Sequence, residues 1–172
     1  MKDINCKLDL PYPDPVASKE NEELAERLSA LYAGRYSELS ALTGYTYQHL
    51  ILKDKYSYIA DMLECLSVTE MKHFEMLGQL IVSLGGDPVI GETDRRRLYY
   101  WNGSYADSAT RLDKIVTDDI RGEKRAIADY TAFMSHSEDE GVNAVIERII
   151  KDEEHHIEIL TDIYNELKGK NR

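Results

Sequence analysis

Cysteine, basic charge and long apolar runs are all scarce in this chain of 172 residues, and each shortage removes a class of protein. Only Cys6 and Cys65 occur, with no C-x-x-C pair. That argues against a disulfide framework and excludes a cysteine-bound zinc or rubredoxin-type iron site. Lys and Arg total 21 against 32 Asp and Glu, a net charge of −11. A nucleic-acid or anionic-membrane surface needs a basic footprint, so neither partner is expected. No run approaches the ~20 apolar residues of a membrane span, and the start MKDINCKLDL has no apolar signal region, so a cytoplasmic location is expected. Phe and Trp number only two and one, against twelve Tyr. Tyrosine lines a core while keeping a polar tip, which points to a moderately polar interior.

What is present is helical periodicity. The length fits one domain with a sizeable core. Pro11, Pro13 and Pro15 disfavour helix, so residues 1–20 read as an extended arm lying on the bundle or on a partner subunit. Over 21–54, Leu24, Leu28, Leu31, Glu38, Leu42, Tyr45, His49 and Leu52 recur at helical spacing, with one gap at Gly34-Arg35. A second helix is expected over 56–84, stopped by Gly85-Gly86-Asp87-Pro88. Residues 87–106, with YYWNGSY, read as a long loop. A third helix is expected over 107–136. A fourth is expected over 138–168, opened by a capping box of Ser137 and Glu140. The fold class is therefore all-α. Residues 21–172 form an antiparallel four-helix bundle with one long crossover, the ferritin-like arrangement.

The apolar stripes carry acids and histidines. Glu70 and His73 stand three residues apart, as do Glu153 and His156, so each pair shares one helical face. The first and third helices add Glu38 and Glu123, each followed seven residues later by a tyrosine, Tyr45 and Tyr130. Four buried carboxylates without partners would cost several kcal/mol each. The stripes offer no Lys or Arg to match them, apart from Arg35 one turn before Glu38. Two divalent cations would balance four carboxylates and two neutral imidazoles. Mixed oxygen and nitrogen donors suit iron or manganese rather than calcium or magnesium. One Glu on each of two helices, with Glu-x-x-His on each of the others, is the dinuclear carboxylate arrangement. The candidate ligands are thus Glu38, Glu70, His73, Glu123, Glu153 and His156 for two iron or manganese ions. Glu70 and Glu153 are the expected bridges, and Tyr45 and Tyr130 the candidate catalytic neighbours. Asp152 is placed to orient a histidine from the other half, whereas Thr69 fills the matching position before Glu70, so this support would be one-sided. Asp119, one turn before Glu123, is a second candidate support. His49 reads as a satisfied core or edge histidine, and Glu154 and His155 as facing solvent.

E-L-x-A-L-x-x-Y at Glu38–Tyr45, E-M-K-H at Glu70–His73, D-I-R-G-E at Asp119–Glu123 and D-E-E-H-H-I at Asp152–Ile157 resemble the bacterioferritin ferroxidase motifs of the ferritin-like superfamily. The L-P-Y-P arm and G-E-K-R-A-I-A-D-Y look more like manganese catalases, especially their small spore-coat relatives. T-E-M-K-H-F-E-M-L and D-E-E-H-H-I-E-I-L are similar to rubrerythrins. The resemblance covers about 21–168 and implies the same six ligands. It implies an oxidoreductase acting on hydrogen peroxide or dioxygen, with an electron donor that the sequence does not name, in a homodimer or larger homo-oligomer. Ferroxidase and iron storage is the alternative it implies. A structural coat protein with a vestigial site is the other. No haem is expected: Met71 takes the bacterioferritin haem-ligand position but reads as surface packing.

Overall fold

The computed structural model describes residues 5–170, and only the backbone at Lys170. Residues 1–4 of the expected arm and 171–172 of the expected bundle segment lie outside the described residues. The helices are α1 (Glu22–Ala33), α2 (Glu38–Leu52), α3 (Ser57–Ser83), α4 (Leu112–Met134) and α5 (Glu140–Lys170).

The helix expected to run through 21–54 is two helices. Asn21 caps α1, its side chain accepting from the Leu24 amide at 3.1 Å. At Gly34 a side-chain carbon would lie 2.5 Å from both the Ala30 carbonyl oxygen and a Glu92 carboxylate oxygen, so only glycine fits. The backbone turns extended there. Ser37 then caps α2, accepting from the Ser40 amide at 3.3 Å while donating to the Gly34 carbonyl at 2.8 Å. This break starts α2 at Glu38.

α3 stops as its glycines demand. Gly85 sits at φ +86°, in the left-handed region, and the Gly86 amide returns to the Ile81 carbonyl at 2.9 Å. The expected loop contains a hairpin: β1 (Gly91–Asp94) pairs antiparallel with β2 (Arg97–Tyr100), Gly91 opposite Tyr100. Arg95 and Arg96 form its turn, both at positive φ (49° and 65°), a geometry more often signalled by Asn-Gly. The hairpin docks on α1 through the Thr93 amide to Ser29 Oγ at 2.8 Å.

α4 starts at Leu112 rather than at 107 because the Asp107 carboxylate accepts from the Ala109 amide at 3.0 Å, holding a turn. Asp139, not Ser137, caps α5, accepting from the Val142 amide at 3.0 Å. A carboxylate is the better match to the positive end of the helix.

α2 packs along α3, and α4 along α5. These two hairpins with the long crossover make the ferritin-like bundle. Two apolar clusters hold it. One contains Leu28, Leu77, Leu80, Ile146 and Ile149; the other contains Leu63, Leu66, Ile115 and Leu160. Each fully buried Leu or Ile contributes about 1.5–3 kcal/mol. Along α3 and α5 the Glu-x-x-His motifs fall between these clusters. No helix among the described residues is long and apolar enough to cross a membrane.

Residues 5–20 carry no helix or strand and run against α3 and α5. Their packing joins Cys6 to Cys65 of α3 in a disulfide across 59 residues. The sequence spacing gave no sign of this bond, because only the folded arm brings the two residues together.

Candidate metal centre

Glu38 opens α2, Glu70 and His73 lie one turn apart on α3, Glu123 is mid-way along α4, and Glu153 and His156 lie one turn apart on α5. All six are buried, none more than 4% exposed. Their donor atoms form two overlapping groups: Glu38, Glu70, His73 and Glu153, and Glu70, Glu123, Glu153 and His156. Within each group one atom per residue lies within 4.8 Å of all the others. Glu70 and Glu153 belong to both groups.

The separations are short without being hydrogen bonds. His156 Nδ1 is 2.8 Å from Glu153 Oε2, 3.0 Å from Glu70 Oε1 and 3.5 Å from Glu123 Oε1. Yet among the described residues His156 Nδ1, Glu70 Oε1 and both Glu153 oxygens have no hydrogen-bond partner. Buried polar atoms are ordinarily paired. Lone pairs that converge without bonding one another fit a shared cation, and the mixed carboxylate and imidazole donors fit iron or manganese.

The buried carboxyls and imidazoles shift one another's proton affinity. Burial pushes the Glu38 carboxyl well above the usual range, helped by the negative charges of Glu70, Glu153 and Glu123. Burial likewise pushes Glu123 up to about 8, with Glu153 and Glu70 adding to the effect. At Glu70 burial acts the same way, but the neighbouring Glu38 carboxyl, the charge of His156 and the hydrogen bond to His73 outweigh it and hold the group well below the usual range. Burial disfavours charged imidazoles, but the Glu153 charge and the bonds around them raise His73 and His156 well above the ordinary histidine value.

The surrounding bonds cross between the hairpins. Tyr45 on α2 donates to Glu123 on α4, and Tyr130 on α4 donates to Glu38 on α2. Burial, then the nearby charges of Glu123, Asp119 and Glu70, keeps the Tyr45 hydroxyl protonated. His73 Nε2 lies 3.1 Å from Asp152 Oδ2. His156 Nε2 has no hydrogen-bond partner among the described residues, and the Thr69 hydroxyl donates to the Cys65 carbonyl instead. The one-sided support expected from Asp152 and Thr69 is present. Asp119 is bonded elsewhere, accepting from Gln48 Nε2 at 2.8 Å. Arg35 is exposed, its guanidinium over the Tyr36 and Tyr105 rings rather than on Glu38. His49 is buried, its Nδ1 2.9 Å from the Ala60 carbonyl, and Glu154 is exposed.

Two residues near the site escaped the sequence reading. Buried Arg148 pairs with Asp152 at 2.7 Å, and the Tyr12 hydroxyl donates to Asp152 at 2.5 Å. The spacing of Arg148 four residues before Asp152 was a legible signal; Tyr12, on the arm, had none. These partners and His73 outweigh burial and hold Asp152 below the usual carboxylate range.

A cavity of about 680 Å³ between α2 and α4 reaches the cluster, lined by Glu38, Tyr45, Glu123 and Tyr130 together with Tyr105 and Arg125. Trp101 of the crossover docks beside it, donating to Ser40 Oγ at 3.0 Å.

The rubrerythrin family model matches residues 30–164. The chain belongs to the rubrerythrin family. A bacterioferritin from Desulfovibrio desulfuricans is 26% identical over 158 residues, 90% of this chain and 83% of that one. Among solved structures, a manganese catalase from Anabaena PCC7120 superposes with a TM-score of 0.78 at 20% identity, over 98% of this chain and 80% of its own. The Desulfovibrio desulfuricans bacterioferritin, whose diiron site was seen in different catalytic states, superposes with a TM-score of 0.72 at 25% identity, over 86% of this chain and 81% of its own. The rubrerythrin-family chain is thus a ferritin-like helical bundle whose buried carboxylate and imidazole clusters could hold metal ions.

Proposed function

We propose that this protein is a dinuclear iron or manganese oxidoreductase acting on hydrogen peroxide or dioxygen, in a catalase-like or peroxidase-like reaction that protects against oxidative stress. The observation that carries the reading is the sharing of Glu70 and Glu153 between two four-residue donor groups. Glu38 and His73 would complete one ion's ligands, and Glu123 and His156 the other's. Two such ions would supply the electron pair that cleaves the oxygen–oxygen bond of one peroxide and would take a pair back from a second peroxide or an external donor.

The protein's own part is positioning and proton control. Glu70 and Glu153, from α3 and α5, set the spacing between the two positions. Tyr45 and Tyr130 fix the outer carboxylates Glu123 and Glu38 and hold protons at the wall of the cavity. The apolar clusters flank the centre, and the cavity gives access to it. A rapid peroxide assay on metal-loaded protein tests the proposal. Fast turnover that disappears in Glu70→Ala is expected; turnover that survives that substitution would overturn it.

Oxidation of Fe(II) for storage is the second reading, favoured by the bacterioferritin likeness. Against it, the Tyr45, Tyr130 and Asp152 bonds restrain the ligands, which suits resident ions better than ions in transit. Particle size separates the readings: a homodimer or hexamer is expected for the enzyme, a 24-subunit particle for storage.

A further inference from the structure

The Cys6–Cys65 disulfide and the arm it tethers lie behind one half of the centre only. Cys6 is bonded to α3 five residues before Glu70. Two residues beyond Cys6, the Leu8 amide donates to Asp152 Oδ1 at 2.8 Å. The carbonyls of Leu8 and Leu10 accept from Arg148 Nη2 at 3.0 and 3.2 Å. Tyr12 then donates to Asp152 Oδ2, and the Arg148 guanidinium stacks over its ring at 4.3 Å. Asp152 is fully buried and reaches His73 Nε2. Among the described residues His156 has no equivalent support. No helix or strand holds residues 5–12; the disulfide, these polar contacts and the packing of Cys6 and Tyr12 against the apolar clusters keep the segment in place.

We propose that the Cys6–Cys65 disulfide is a redox latch that holds the arm on Asp152 and so fixes the imidazole of His73, tuning one of the two metal positions and not the other. The proposal rests on the dinuclear reading above.

Cys6 is buried while Cys65 is partly exposed, so an external thiolate reaches the bond from the Cys65 side. The thiolate attacks Cys65 Sγ, a mixed disulfide forms, and Cys6 leaves as a thiolate and takes up a proton. A second thiol of the reductant resolves the mixed disulfide, leaving two protein thiols and one oxidised dithiol. The freed arm then loses the high local concentration that kept Leu8 and Tyr12 on Asp152. Loss of the group that orients a ligating histidine weakens metal binding by about 10- to 100-fold.

The test uses the full chain in oxidised and dithiothreitol-reduced forms. In metal-free protein the imidazole NMR signals are followed. In parallel, Mn(II) is titrated and its binding steps are resolved. Reduction should shift the His73 signal and leave His156 in place, weaken one Mn(II) step by about 10-fold, and be reversed by reoxidation. Tyr12→Phe, with the disulfide intact, should weaken the same step. An unmoved His73 signal would overturn the latch, and so would equal weakening of both steps. Failure of both redox forms to bind Mn(II) and, in a parallel anaerobic titration, Fe(II) would overturn the dinuclear reading and the tuning. The His73 signal would then report the mechanical latch alone, which stands if that signal shifts and falls if it does not.

Discussion

Tyr45 on α2 donates its hydroxyl hydrogen bond to Glu123 on α4, so a tyrosine of one hairpin holds the outer carboxylate of the other. Tyr130 and Glu38 repeat the relationship in reverse. Neither carboxylate is restrained by the tyrosine of its own helix. The site is therefore closed by docking of the two hairpins and not by either alone.

Tyr45→Phe and Tyr130→Phe test that closure. Each removes a donor from a buried carboxyl group and should cost the metal-free protein about 1–3 kcal/mol, read from urea unfolding. Peroxide turnover of the loaded protein should fall roughly 10-fold, as expected when an outer-shell partner is lost. Bound metal should change less than turnover. Wild-type turnover in both variants would show that the crossed bonds are only structural.

The shared carboxylates predict a stoichiometry. Glu70 and Glu153 belong to both donor groups, whereas Glu38 and Glu123 each belong to one. Glu70→Ala or Glu153→Ala should empty both positions, while Glu38→Ala or Glu123→Ala should leave about one ion per chain, the count expected when one of two ions keeps its donors. Elemental analysis of natively expressed protein reads the difference. Equal loss in all four variants would show that the two groups do not act as separate positions.

Much of this geometry was legible because helical spacing is enforced by backbone hydrogen bonding. Glu70 with His73, and Glu153 with His156, could only share a face once their helices formed. Glu38 and Glu123 were legible as acids on otherwise apolar stripes. The unread parts depend on contacts between distant segments. Nothing local to Tyr12 or Cys6 signals Asp152 or Cys65, which stand 140 and 59 residues away. The hairpin was hidden because Arg95-Arg96 is an uncommon pair for a turn with positive φ. The arm's first four residues lie outside the described part of the chain.

Asp119 predicts a pH dependence separate from the six candidate ligands. Burial pushes its carboxyl from an ordinary 3.8 up to about 8, against the opposing bond from Gln48. Between those values the folded protein keeps a proton that the unfolded chain has lost. Stability of the metal-free protein should therefore fall as pH rises through this window, by up to about 1.4 kcal/mol per pH unit from this group. The effect should be absent below the lower value and complete above the upper one. Asp119→Asn keeps the shape and removes the titration, so the difference between variant and wild type in urea midpoints from pH 5 to 8 isolates the group. Parallel profiles would refute a protonated, buried Asp119.

Gly34 predicts how strictly the break between α1 and α2 is required. A methyl group there would meet the Ala30 carbonyl oxygen and a Glu92 carboxylate oxygen, each at 2.5 Å. Glu92 can swing aside because its carboxylate ends a flexible side chain, but the Ala30 carbonyl belongs to the last turn of α1 and cannot. Gly34→Ala should therefore cost about 1–3 kcal/mol, as other overpacked sites do. In a protein of this size that lowers the melting temperature by roughly 2–4 °C per kcal/mol. Adding Glu92→Ala should recover little, since the backbone clash remains. Because Ser37 both caps α2 and donates to the Gly34 carbonyl, a shifted break also displaces the first turn that carries Glu38. Metal content should then fall along with stability, measured on the same preparation. A variant that melts lower but binds a full complement of metal would show that the break shapes the fold without placing the ligand.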